Sequence, residues 1–116
     1  MSHALIIDDN LIVSRVIQDS LEPLGFRTFD YAWTEIEAVA AAAKHPPDLL
    51  VIGDSIEEGS AIDAARHISA DRSMPVLMVT ADRCRAERQL PSDGLLSGPF
   101  HISELQDALT SARVAS

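Results

Sequence analysis

Short apolar runs alternate along the chain with longer segments in which apolar residues recur every three or four positions. An uninterrupted short run is typical of a buried parallel strand, and the longer spacing is typical of a helix with one buried face. The runs predict strands at residues 4–7, 26–31, 49–52, 76–79 and 95–96. Helical spacing predicts helices at residues 11–24 and 102–113, N-cap residues predict helices at 34–43 and 60–69, and a short polar helix is predicted at 82–90.

Polar residues at several predicted helix starts support these boundaries. Thr34 with Glu37, and Ser103 with Gln106, have the spacing of a capping box. Ser60 is at the predicted N-cap of the third helix, where its hydroxyl can accept a hydrogen bond from a backbone N–H of the first turn.

Strands that alternate with helices predict an α/β fold. Parallel strands need crossover connections, so the helices cover both faces of the sheet and form a three-layer sandwich. In such a sheet the ligand site lies beyond the carboxyl ends of the strands, where the strand order reverses. The residues predicted at that edge are Asp8, Asp9, Gly53, Asp54, Ser55, Thr80, Ala81, Gly98 and Pro99.

Composition narrows the class of partner. The 116 residues are 47% apolar and 23% charged, as in a packed domain, and no apolar stretch is long enough to cross a bilayer. We therefore expect a cytoplasmic protein. The net charge of −9 opposes attraction to nucleic acid or to an anionic membrane, so neither is an expected partner.

The adjacent pair Asp8 and Asp9 has two interpretations. Neighbouring carboxylates repel each other, and Mg²⁺, which prefers oxygen ligands, would relieve that repulsion. Alternatively, Asp9 or Asn10 caps the following helix and Asp8 is merely solvated. Thr80 likewise could contact a ligand or only hydrogen-bond the next turn. The residues alone leave these alternatives open.

Five stretches, by their order and spacing, resemble the receiver domains of response regulators in bacterial two-component signalling. They are LIIDDN at residues 5–10, Gly25 with Phe26, PDLLVI at 47–52, PVLMVTA at 75–81 and GPF at 98–100. The resemblance implies a flavodoxin-like, doubly wound sheet of five parallel strands in the order 2-1-3-4-5, flanked by five helices. It also implies one receiver-like domain over residues 1–116, with no output domain.

The family's phosphorylation site is only partly present in this sequence. Its acidic pair, which holds Mg²⁺, corresponds to Asp8 and Asp9. Its strand-end Thr or Ser, which contacts the phosphate, corresponds to Thr80, with Ala81 beside it. These matches imply a metal site that includes the two aspartates and, if its side chain reaches them, Asp54.

Three positions depart from the family pattern. Counted from both flanking motifs, the phosphoacceptor aspartate falls on Gly53; Asp54 is one residue later, on the opposite face of a regular strand. A bulge at the glycine could turn Asp54 back toward the site. The lysine that precedes a cis-proline falls on Gly98, and the aromatic switch residue falls on Leu95. We expect weak Mg²⁺ binding at most.

The leading hypothesis is a stand-alone pseudo-receiver that works by binding proteins, with weak or absent aspartyl phosphorylation and no enzymatic activity. Its partner would be a histidine kinase, a phosphotransfer protein or another regulator, and the chain itself a monomer or weak homodimer. The resemblance locates partner contacts around Arg83, Arg85, Arg88 and the last helix.

Two alternatives remain. The first is a working phosphoacceptor that uses Asp54 with Mg²⁺. The second is a flavodoxin-like cofactor carrier, for example of a flavin phosphate, which the negative charge of Asp8 and Asp9 disfavours.

Overall fold

The strands form one sheet in the order β2-β1-β3-β4-β5, and every pair of neighbours is parallel. The structure is a computed structural model, and it describes residues 2–53, 56, 58–70, 74–80, 95–104 and 107. The strands are β1 Ser2–Ile7, β2 Phe26–Ala32, β3 Leu49–Ile52, β4 Val76–Thr80 and β5 Ser97–His101. The α-helices in the described part are α1 Leu11–Leu21, α2 Glu35–Lys44 and α3 Ala61–Ser69.

The predicted fold class and strand order are confirmed. The three central strands are buried along nearly their whole length, as their unbroken apolar sequences require. Helix α1 packs on one face of the sheet through Ile17 and Leu21. Helices α2 and α3 pack on the other face, chiefly through alanines. The sheet thus forms the middle layer of three.

The strand register brings the polar strand ends to one edge. Ile7 pairs with Ala32 on one side and with Ile52 on the other, and Ile52 pairs with Met78. Because β1 leads to α1 on one face and β3 leads toward α3 on the other, the chain diverges between them. This divergence is the switch point at which α/β sheets bind ligands.

Most predicted boundaries agree with the structure to within two residues. Strand β3 matches the prediction at both ends, and the predicted caps Thr34 and Ser60 each accept a backbone N–H, from Glu37 and Asp63 respectively. The first predicted helix is α-helical only to Leu21 and continues as a 3₁₀ turn through residues 22–24.

The predicted last strand at residues 95–96 was wrong. Leu95 and Leu96 are half-buried and pack against the core under α2 and α3, while the strand itself is Ser97–His101. Its position is physically reasonable because β5 is an edge strand, where a proline without an N–H is tolerated. The apolar pair marked a packing contact before the strand rather than the strand.

The start of the final helical segment also differs from the prediction. A 3₁₀ turn begins at Ile102, so Ser103 lies inside the turn instead of capping it. The His101 ring takes the capping position: its Nδ1 accepts the Ser103 N–H at 3.3 Å, and Glu104 accepts the His101 N–H at 3.2 Å. The predicted helix at 82–90, its three arginines and most of 102–113 lie outside the described residues. No helix in the described ranges has the length and hydropathy to span a membrane.

Candidate site at the carboxyl end of the sheet

Asp8 is held in a buried position directly after β1. Its backbone N–H donates to the Ala32 carbonyl at 3.1 Å, and the residue is only 3% exposed. Its Oδ1 accepts the Asn10 N–H at 2.7 Å. The interpretation of Asp8 as a solvated residue is therefore wrong, because Asp8 is buried. The hydrogen bond from the Asn10 N–H partly replaces the water that a buried carboxylate loses.

Asn10, not Asp9, caps α1. The Asn10 Oδ1 accepts the N–H groups of Ile12 at 2.9 Å and Val13 at 3.2 Å. Asp9 is half-buried beside it. The cap thus uses the asparagine and leaves both carboxylates of the acidic pair at the sheet edge.

Gly53 lies buried immediately after β3, and its N–H donates to the Ile7 carbonyl at 2.9 Å. A β-carbon built at Gly53 would overlap the carboxyl group of Asp8 and would lie 2.9 Å from the Asp8 β-carbon. The glycine is not required by its backbone, since its φ is not in the left-handed region. The absence of a side chain at residue 53 is what gives the Asp8 carboxyl group its place.

Thr80 is buried at the end of β4, two strands away from Asp8. The register aligns Ile7, Ile52 and Met78, so Asp8 and Gly53 lie one residue beyond that level and Thr80 lies two beyond it. The structure therefore brings these three predicted site residues to one edge of the sheet. Asp54 and Ala81 lie outside the described residues, and their predicted roles stay predictions.

Gly98 has a backbone conformation that disfavours any side chain. Its φ is 121°, and a β-carbon there would lie 2.8 Å from the Met78 carbonyl oxygen. The Gly98–Pro99 peptide bond is cis, as the receiver resemblance implies for this position. Residue 98 thus brings no ammonium group to the edge, and its backbone would resist one.

At this edge the described residues supply two carboxylates, those of Asp8 and Asp9, as candidate ligands of a Mg²⁺ ion. Among the described residues no group of three or more His, Cys, Asp or Glu could hold a metal. Asp8 and Asp9 offer oxygen ligands of the right kind. However, the Asp8 carboxyl group packs over Gly53 and already accepts the Asn10 N–H.

Sequence reasoning missed the role of Glu35 in fixing the segment that leads from β3 into α3. Its Oε1 accepts the Ser60 N–H at 2.9 Å, and its own N–H donates to the Glu58 carbonyl at 3.0 Å. Gly59 takes a φ of 87° between them, with the Glu35 side chain against it. No spacing rule signals this contact, because Glu35 and Ser60 are 25 positions apart. The start of α2 and the start of α3 are thereby tied together.

A second polar cluster lies at the opposite edge of the sheet and was also missed. The His3 ring has Nδ1 2.7 Å from the Thr28 Oγ1 and Nε2 3.0 Å from an Asp30 carboxylate oxygen. The His3 N–H donates to Asp48 at 2.8 Å. These contacts join β1 to β2 and to the turn before β3, so they support the sheet rather than the candidate site.

Comparisons with known proteins agree with the predicted fold. No protein-family model matches the sequence. The KDP operon transcriptional regulatory protein KdpE of Escherichia coli K12 is 29% identical over 113 residues, covering 94% of this chain and 50% of KdpE. The polar-differentiation response regulator DivK of Brucella abortus is 25% identical over 114 residues, covering 92% of each. The chain spans about half the length of KdpE and of several other curated relatives.

A solved structure of a receiver domain has the same fold as this chain. The solution structure of the Erythrobacter litoralis PhyR response regulator REC domain superposes with a TM-score of 0.79 at 27% identity, covering 97% of this chain and 90% of that one. The sheet order thus defines a flavodoxin-like α/β fold. In sequence and in fold, the chain is similar to the receiver domains of response regulators.

Proposed function

We propose that this receiver domain is a pseudo-receiver, which acts by binding another protein and takes up little or no phosphate. The observation that carries the proposal is the Asp8 carboxyl group in the space that a side chain at Gly53 would need. An aspartate at the predicted acceptor position would have to displace Asp8. The chain instead presents bare backbone there.

Phosphoryl transfer to an aspartate needs a nucleophilic carboxylate and positive charge on the phosphoryl oxygens. Gly53 supplies no nucleophile, and Gly98 supplies no cation. Asp8 and Asp9 add negative charge that an incoming phosphoryl group would meet unless a metal neutralised it. Thr80 could donate one hydrogen bond, which does not replace the missing groups.

The expected partner is a protein of the same signalling class: a histidine kinase, a phosphotransfer protein or another regulator. Receiver domains interact with such proteins. With the phosphorylation chemistry reduced, the domain would act as an adaptor or inhibitor whose state depends on that partner. Mg²⁺ would bind weakly, through Asp8 and Asp9.

The test is incubation of the full chain with acetyl phosphate and Mg²⁺, followed by intact-mass measurement. We expect no added phosphoryl group, in contrast to a control receiver domain that carries the acceptor aspartate and is treated in parallel. The matched variant is Asp54→Asn, which removes the neighbouring carboxylate. A hydroxylamine-labile phosphoryl group on the wild-type chain that disappears in Asp54→Asn would reject the proposal and establish Asp54 as a working acceptor.

A further inference from the structure

Two large apolar side chains are exposed at the start of α2. Trp33, which precedes the N-cap of α2, is 37% exposed, and Ile36, in the first turn of α2, is 79% exposed. Leu11 and Ile12, at the start of α1, are also exposed. Since Ile7 pairs with Ala32, both helix starts leave the same edge of the sheet. Trp33 and Ile36, three positions apart in the sequence, are the pair of interest, because neighbouring exposed apolar side chains mark an interaction surface more often than isolated ones do.

The segment that carries Trp33 and Ile36 is fixed before any partner arrives. The Trp33 N–H donates to the Glu37 carboxylate at 3.1 Å, and the Glu37 N–H donates to the Thr34 hydroxyl at 3.1 Å. Between them, Glu35 is bonded to Glu58 and Ser60. A surface that is already ordered loses less conformational entropy on binding.

The charge around this surface is one-sided. In the sequence, residues 8–14, 33–43 and 53–65 follow the first three strands of the sheet and contain eight of the chain's eighteen acidic residues. These segments contain no lysine or arginine, although Arg15, Lys44 and Arg66 each follow directly after one of them. Glu37 and Glu58 are both exposed beside the apolar pair. A partner surface that complements this one is apolar in the centre and basic at the rim.

We propose that Trp33 and Ile36 form a docking surface for a partner protein whose contacting surface is apolar in the centre and carries Lys or Arg at its border. A second copy of this chain fits poorly because a two-fold contact would place the same acidic groups against each other. An anionic membrane fits poorly for the same electrostatic reason. The inference rests on the proposed function only in taking a protein as the partner.

Trp33 is the sole tryptophan in the chain, so its fluorescence reports on this surface directly. The probe is a synthetic leucine–lysine peptide ordered as an amphipathic helix, titrated into the full chain. The controls are a scrambled peptide of the same composition and a leucine–glutamate peptide of the same pattern. We expect a saturable blue shift of the Trp33 emission with the first peptide alone.

The variant Ile36→Ser should weaken binding about tenfold, since truncated anchor residues at interfaces typically cost more than 1 kcal/mol. The matched control is Val16→Ser, which changes another partly exposed apolar residue, 39% exposed, on α1. That variant should leave the affinity unchanged. Circular dichroism of both variants verifies the fold, which the high exposure of Ile36 should preserve.

Equal binding of the scrambled peptide, or an unchanged affinity of Ile36→Ser, would overturn the proposal, because attraction would then be purely electrostatic. Concentration-dependent dimerisation that is lost in Ile36→Ser would assign the surface to a second copy instead. A blue shift with anionic vesicles would assign it to lipid. None of these results depends on phosphorylation at residue 54, so this inference and the proposed function can fail separately.

Discussion

The space over Gly53 gives a quantitative prediction for Gly53→Ala. Gly53 has no left-handed φ, so on backbone grounds alone alanine would be neutral or would stabilise the fold by about 0.4–1 kcal/mol. The structure predicts the opposite sign. The new methyl group would meet the Asp8 carboxyl group, which must then leave its place and its hydrogen bond from the Asn10 N–H.

The size of the effect follows from these two costs. Overpacking a buried position costs about 1–3 kcal/mol, and a hydrogen bond to a charged group contributes about 1.5–3 kcal/mol. If the Asp8 side chain moves, the overlap with the new methyl group is relieved but the hydrogen bond from the Asn10 N–H is broken. The two free-energy costs are therefore not fully additive. We therefore expect Gly53→Ala to lower the free energy of unfolding by about 2–4 kcal/mol.

A double-mutant cycle measured by urea denaturation tests the cause. In an Asp8→Ala background the carboxyl group is gone, and most of the cost of Gly53→Ala should vanish, giving a coupling energy of about 1–3 kcal/mol. In an Asp8→Asn background a side chain of nearly the same volume remains, so Gly53→Ala should still lower the free energy of unfolding. Equal costs in the wild-type and Asp8→Ala backgrounds would refute the idea that Asp8 fills the space over Gly53.

Three further predictions concern other parts of the fold. Glu35→Ala removes the acceptor of the Ser60 N–H and should lower the free energy of unfolding by about 1–2 kcal/mol in urea denaturation; no change would mean that the contact is not formed in solution. Burial raises the pKa of the sole tyrosine, Tyr31, above its ordinary value of 10.0. The contribution of the protonated Tyr31 hydroxyl to the free energy of unfolding is therefore complete below pH 10 and is lost as pH rises through the folded-state pKa. Ultraviolet difference titration of folded and urea-unfolded chains should give the higher midpoint for the folded one, and coincident midpoints would contradict this. Gly98→Lys should destabilise the domain and not restore phosphate uptake, because its β-carbon would approach the Met78 carbonyl; a stable, phosphorylated variant would show that the backbone adapts.

The parts of the fold that were predictable from sequence are those fixed by local pattern. Strand β3 was located to the residue because four consecutive buried apolar residues end at a glycine. The caps Thr34 and Ser60 followed from short-range spacing. Residues 95 and 96 misled the prediction because an edge strand containing Gly98 and Pro99 carries little apolar signal of its own.

The arrangement of the site could be predicted only as far as register allows. Motif spacing assigned Gly53 to the predicted acceptor position and brought Asp8 and Thr80 to the same edge. It could not reveal that the Asp8 side chain turns onto Gly53, since that depends on packing between two strands. The contact of Glu35 with Ser60 was equally invisible, because it joins residues distant in sequence.

The close fit of Asp8 over Gly53 also has an evolutionary consequence. A lineage carrying this pair could not acquire an aspartate at residue 53 through one codon change without losing stability, because the Asp8 carboxyl group occupies the space that the new side chain would need. A prior change at residue 8 would free that space but would remove half of the acidic pair. Because residues 8 and 53 depend on each other in this way, selection for stability would favour keeping glycine at residue 53.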